Sequence, residues 1–408
     1  MKKPRIFINM HYMALGGAER ALLGLLNALD TERVDVDLFI NQHTGEFMPL
    51  IPSKINLLPE LKGYNAIERP MKDILKEWQL GILFGRLKAK VQHKCYHNTL
   101  KEPYKSFDSS GFQYVANAVE PYLTSLDFLG EYDLAISFLQ PHNIVLNKVK
   151  AIKKIAWIHT DYSTVHVNAE LELPVWSGFD YIASISPDCT RSFLTAFPSL
   201  REKIIKIENI LSSEFVHQQA DLIDVKEEMP SKNNGGKKLM NLLTIGRYCH
   251  QKNFDNLPYI AKELVDLGLD ELRWYLIGFG GDEPLIRHKI AEIGMENHVI
   301  MLGKKVNPYP YIKACDIYVQ PSRYEGKSVT VREAQILCKP VVVTNYPTAP
   351  SQIIDGIDGI IVPLDNKGCA NGIVDFIQKI ELQESIKNYL HAHDYGNESE
   401  VEKLMELL

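Results

Sequence analysis

The stretch "MNLLTIGRYCHQKNFDNLPYIAKELVDLGLDELRWYLIGFGG" runs from Met240 to Gly281. Its apolar run at 240–246 is of strand length and ends at a glycine. The pattern "NLPYIAKELVDLGL" at 256–269 then spaces its apolar residues three and four apart, as one face of a helix requires. A second apolar run follows at 272–278. Strand, helix and strand in that order make a parallel pair with a crossover, and parallel strands need both faces covered.

The same alternation extends through most of the chain. Upstream, strands are expected at 5–10, 34–40, 132–138, 154–159, 181–186 and 203–210. Downstream they are expected at 298–303, 315–320, 340–344 and 359–363. With 408 residues, this predicts an α/β protein of two Rossmann-like, doubly wound parallel-sheet domains. The first is expected over 1–212, with a less regular helical insert at 60–128. The polar, Gly/Asn-rich tract 213–239 reads as a linker. The second domain is expected over 240–383, with closing helices at 384–408 that cross back to the first domain. Ligands in such sheets bind at the carboxyl ends of strands, so the cleft between two facing sheets is the expected site.

The chain is 45% hydrophobic and 24% charged, with a formal charge of −6, which gives no reason to expect nucleic acid as a partner. Residues 1–212 are close to neutral, and the negative charge lies in the remainder. Six scattered cysteines have neither CxxC nor metal-ligand spacing and read as reduced thiols of a cytoplasmic protein. Met1 leads directly into a strand-like run, too short for a secretory signal. No run of 18 apolar residues suggests a membrane span. Residues 85–105 hold six Lys/Arg and one Glu. They read either as a solvated helical face or as a basic arm for an anionic membrane, which would put the protein at the inner face of the cell membrane.

Five constellations can carry chemistry. Gly16 and Gly17 sit between a strand end and a helix start, where backbone approaches a ligand closely and free N–H groups point outward. Arg247 and Lys252 follow the strand at 240–246, and their charges suit a diphosphate. Gly278, Gly280 and Gly281 supply half of a dinucleotide fingerprint, but Glu283 stands where its last glycine belongs, so a nicotinamide site is not expected. His159 and Asp161 follow the strand at 154–159. Asp35-Val36-Asp37 resembles a metal-holding pair, yet it alternates with apolar residues and reads as the outward face of an edge strand. Lastly, "RYEGKSVTVREAQ" (323–335) opens a helix with Ser328 as its N-cap. Glu325 before that helix and Glu333 inside it are acceptors suited to sugar hydroxyls and a ribose diol.

The order and spacing of "GGAER" (16–20), "GRYCHQKN" (246–253), "DIYVQPS" (316–322), Glu325 with Glu333, "KPVVVT" (339–344) and "DGIDGIIVP" (355–363) resemble the retaining glycosyltransferases of the GT-B fold, family 4, over nearly the whole chain. "YEGKSVTVREAQ" is similar to bacterial capsule and exopolysaccharide transferases. The resemblance implies transfer of a hexose or N-acetylhexosamine from a nucleotide sugar, UDP-linked in preference to GDP-linked, to a sugar or lipid-linked oligosaccharide in surface polysaccharide synthesis. It implies no cofactor and no metal. Arg247 and Lys252 should neutralise the diphosphate, Glu333 should hold the ribose and Glu325 the transferred sugar. Gly326, Lys327, Ser328 and Val329 should meet sugar and phosphate, and Lys305 and Val306 the base. Gly17 should approach the donor phosphate. His159 should lie by the sugar, and with Gly16 and Asp161 it is a candidate acceptor contact. The chain departs from the family pattern at Lys327-Ser328, where an aromatic residue and glycine are usual, and at Gln352, where an acid is usual. Two other classes remain open: a nucleotide-sugar epimerase on the same scaffold and a non-enzymatic nucleotide-sugar-binding protein.

Overall fold

In the computed structural model, residues 2–100, 107–233, 235–325 and 327–408 are described. Two compact units emerge, one of residues 1–210 with 398–408 and one of residues 211–397.

The first unit holds β1 (Arg5–Met10), β2 (Asp35–Ile40), β3 (Asn56–Leu57), β4 (Phe107–Asp108), β5 (Tyr132–Ser137), β6 (Ala151–Ile158), β7 (Val165–His166), β8 (Tyr181–Ser184) and β9 (Ile204–Lys206). Seven of them form a parallel sheet in the order β3-β2-β1-β5-β6-β8-β9, while β4 pairs with β7 apart from it. The strands read as continuous apolar runs because both faces are covered. Two separate buried clusters flank this sheet, one containing Phe7, Phe39 and Trp176 and the other Ile6, Ile8 and Trp157. The 60–128 insert is largely helical, with helices at Met71–Lys76, Leu80–Thr99 and Ser110–Val119.

The second unit holds β10 (Met240–Arg247), β11 (Leu272–Phe279), β12 (Val299–Gly303), β13 (Ile317–Gln320), β14 (Val341–Thr344) and β15 (Ile360–Val362). All pair in parallel in the order β12-β11-β10-β13-β14-β15. The chain runs outward from β10 to β12 and then returns to β10's other side. The strand order therefore reverses between β10 and β13, where a crevice opens at the carboxyl ends.

Three expectations are corrected. Residues 213–239 are part of the second unit: Ser213–Ala220 is a helix, and Val216, Ala220, Val225 and Met229 are buried beside Leu211. Those four of the tract's apolar residues pack, while Leu222 and Ile223 stay exposed. Its Gly/Asn-rich end is a tight turn, with the Asn233 carboxamide oxygen accepting from the Gly235 and Lys237 N–H groups at 2.9 and 3.0 Å. The closing segment divides, since the helix Ile380–Ala392 lies in the second unit and 398–408 in the first. Finally, β2 is not an edge strand, because the two-residue β3 lies outside it. Asp37 of the Asp35-Val36-Asp37 motif is engaged by Arg5 at 2.9 Å and by the Tyr132 hydroxyl at 2.7 Å. Among the described residues, no helix is long and apolar enough to cross a membrane.

Candidate active site

The reversal between β10 and β13 brings together the two segments that carry most of the candidate donor residues. The Arg323 N–H donates to the Gln251 carbonyl at 2.9 Å, its guanidinium to the His250 carbonyl at 2.6 Å, and the Asn253 amide to the Pro321 carbonyl at 2.9 Å. Asn253 takes a left-handed backbone, which asparagine tolerates, and turns the chain into the next helix.

Glu325 lies where these segments meet. Lys252 forms a short ion pair with its Oε1, and the Ser322 hydroxyl donates to the same oxygen at 2.7 Å. The other oxygen, Oε2, has only a 3.5 Å approach from the Gln251 amide. One carboxylate oxygen thus fixes the side chain while the other keeps its acceptor capacity. Arg247, at the end of β10, is exposed, and its guanidinium makes no hydrogen bond or ion pair with the described residues.

Glu333 is fully buried in the helix Val329–Ile336, with the Tyr309 hydroxyl donating to Oε1 at 2.9 Å. Sequence reasoning missed Tyr309 and Gln251, because nothing local in the sequence marks a side chain whose partner lies 24 or 74 residues away, and it missed Ser322, three residues before Glu325, because a lone serine in a loop carries no signal.

Ser328 takes the N-cap position of that helix, but its hydroxyl meets Thr330 at 3.0 Å instead of capping a backbone N–H. Gln352 holds the Ser328 backbone from both sides, accepting its N–H at 2.9 Å and donating to its carbonyl. A carboxylate could not make the second bond, so the amide at 352 is what allows Gln352 to hold this backbone from both sides. Lys327 is exposed, Val329 is half-buried, and Gly326 lies outside the described residues. Lys305 pairs with Glu228 and lies over the Tyr311 ring, while Val306 is exposed.

The first unit presents the other candidates at the carboxyl edge of its sheet. Gly16 caps the helix Gly17–Ala28, and the Glu19 carboxylate folds back against it. A side chain at Gly16 would overlap that carboxylate, whereas one at Gly17 would meet open space. The helix mouth expected to receive a phosphate therefore already holds an acidic side chain, whose carboxyl burial pushes up. The His159 ring stacks on Trp157 at 5.8 Å between centroids and lies 4.4 Å from Phe138. Burial pulls its pKa down to about 3, against opposing help from the Phe138 backbone and Asn209. It is a neutral imidazole at physiological pH. Asp161 is exposed and accepts the Ser163 N–H at 2.9 Å. His142, fully buried near His11 and His159, is likewise pulled down by burial to about 3.

The fold is that of a two-domain α/β protein with two parallel sheets, the GT-B architecture. Residues 225–392 match the family described as Glycosyl transferases group 1. Over 179 residues the chain is 26% identical to the amylovoran biosynthesis glycosyltransferase AmsD of Erwinia amylovora, covering 42% of this chain and 49% of that protein. Over 149 residues it is 26% identical to a Campylobacter jejuni N-acetylgalactosamine-N,N'-diacetylbacillosaminyl-diphospho-undecaprenol 4-alpha-N-acetylgalactosaminyltransferase, covering 36% of this chain and 40% of that one. The chain spans about two fifths to one half of the length of the first curated relatives it matches. Among solved structures, Anabaena Alr3699/HepE in complex with UDP and glucose has a TM-score of 0.65 at 15% identity, covering 99% of this chain and 98% of that one. A point variant of S. aureus TarM in complex with UDP has a TM-score of 0.64 at 14% identity and covers 99% of both chains.

Proposed function

We propose that this protein is a retaining glycosyltransferase moving a hexose or N-acetylhexosamine from a UDP-sugar to a sugar or lipid-linked oligosaccharide acceptor in bacterial surface polysaccharide synthesis. The observation that carries the reading is Glu325 at the β10/β13 reversal, pinned through one oxygen by Lys252 and Ser322 with the other oxygen open. A carboxylate so held accepts from a sugar hydroxyl without reorganising.

As the sugar–phosphate bond breaks, negative charge gathers on the leaving diphosphate. Arg247 and Lys252 are the cations for that charge, and they do more in the transition state than in the ground state. They take the neutralising role that a divalent ion has in other transferases. Glu333 takes the ribose, whose hydroxyl replaces Tyr309 at Oε1. Lys327, Ser328 and Val329 line the sugar and phosphate, and Lys305 and Val306 the base. His159, as a neutral imidazole, offers a hydrogen bond and no charge. With Asp161 and Gly16 it belongs to the acceptor's contacts.

A thermal-shift screen of UDP-, GDP-, ADP- and dTDP-sugars tests the donor. One present at 100 times its dissociation constant should add about 2.7 kcal/mol of stability. Lys252→Ala and Glu333→Ala, checked for folding, should each lower transfer by at least about 10²-fold. Near-normal turnover in either variant, or no stabilisation by any nucleotide sugar, sinks the assignment.

A further inference from the structure

The helix Leu80–Thr99 turns its small and buried residues, Ile82, Gly85 and Ala89, toward the first unit. Its opposite side is also apolar. Leu80, Phe84, Leu87 and Val91 are all exposed. At 100° per residue they fall within an arc of about 60°, in a stripe about 16 Å long. Tyr122, also exposed, meets Phe84 edge-on at 6.5 Å between ring centroids. Trp78, in the turn just before the helix, takes a left-handed backbone uncommon for such a residue and is 80% exposed. A row of exposed apolar side chains on a helix whose other face is already packed marks a surface with something to cover it.

The charges around the stripe identify what covers it. Lys88 and Lys90 flank it, each roughly 80° to one side, and Lys94 lies near its line. The twenty residues of the helix hold four Lys/Arg and no Asp or Glu, on a molecule whose formal charge is −6. Self-pairing about a two-fold axis would set these lysines against themselves. An anionic lipid surface satisfies both features: the stripe enters the acyl boundary, and the lysines reach outward to headgroups. We infer that this helix, with Trp78 at its start, lies in the plane of an anionic bilayer and docks the first unit there. The inference stands apart from sugar transfer, because binding is read without donor or acceptor.

Trp78 supplies a direct probe, since Trp157, Trp176 and Trp274 are all buried. Vesicles of phosphatidylcholine with about a third phosphatidylglycerol, mixed with the full chain, should float the protein and shift its tryptophan emission to the blue. The shift should vanish in Trp78→Phe. Lys88→Gln/Lys90→Gln/Lys94→Gln should weaken flotation about 10²-fold, each surface charge contributing roughly fivefold. Phe84→Ser/Leu87→Ser should weaken it while leaving the circular dichroism spectrum unchanged. No flotation, equal flotation on pure phosphatidylcholine, an unshifted Trp78, or self-association that the apolar variant abolishes would each overturn the inference.

Discussion

At the scale of single residues, burial sets the chemistry more than sequence spacing does. Glu325 and Glu333 look alike in the sequence, eight positions apart. One has an open oxygen and a lysine partner, while the other is fully buried against Tyr309. His142 carries a testable consequence. Burial holds its folded pKa at about 3, whereas the unfolded chain takes up the proton near 6.5. The unfolded state therefore binds more protons between those values, so acidification favours it. Stability from this group is complete above pH 6.5 and is lost as pH falls toward 3, by about 2 kcal/mol at pH 5. His159 adds a loss of the same sign, and the buried Glu172, whose carboxyl burial pushes up, opposes both. Denaturant unfolding at pH 7.5 and 5.0 should show a smaller pH difference in His142→Asn than in the parent. Identical differences would mean that His142 is protonated when folded.

At the scale of elements, strand cores were legible and element ends were not. Apolar runs such as 5–10, 240–246 and 272–278 coincide with β1, β10 and β11 to within a residue, because parallel strands buried on both faces carry an uninterrupted signal. The two-residue β3 carried none. The basic stretch 85–105 was read by its charge, although Leu80, Phe84, Leu87 and Val91 already had helical spacing, and its residues 101–105 lie outside those described. The glycines of "LIGFGG" are explained by packing: a Cβ on Gly278 would lie 1.9 Å from the Gly246 carbonyl oxygen, and one on Gly280 would lie 2.3 Å from that of Tyr248. They let β11 close on the end of β10, the strand that presents Arg247. Gly280→Ala should therefore cost about 1–3 kcal/mol as an overpacking substitution and should weaken donor binding by displacing Arg247. Gly281→Ala, with open space around it, should stay within about 0.5 kcal/mol. Unfolding and donor titration of the pair decide it; equal effects would mean that the β10–β11 contact does not set the site.

At the scale of the whole molecule, the alternation of strands and helices was enough to give two parallel-sheet units. Where the closing segment divides between the units depends on tertiary packing, and no local pattern reveals it. Val401 and Leu404 are buried in the first unit's core with Ile6 and Ile8, and Lys153 donates to the Leu407 carbonyl at 2.7 Å. The Arg33–Glu402 pair nearby is bidentate, at 2.6 and 3.0 Å, but exposed. Solvent screens it, so Arg33→Ala should leave stability nearly unchanged. Leu404→Ala removes a fully buried side chain and should cost about 2–5 kcal/mol. That cost should fall on one unit. By hydrogen exchange, amides of β1 and β5 should lose protection while those of β10 and β11 keep theirs. Equal loss in both sheets would mean that the two units open as a single cooperative body.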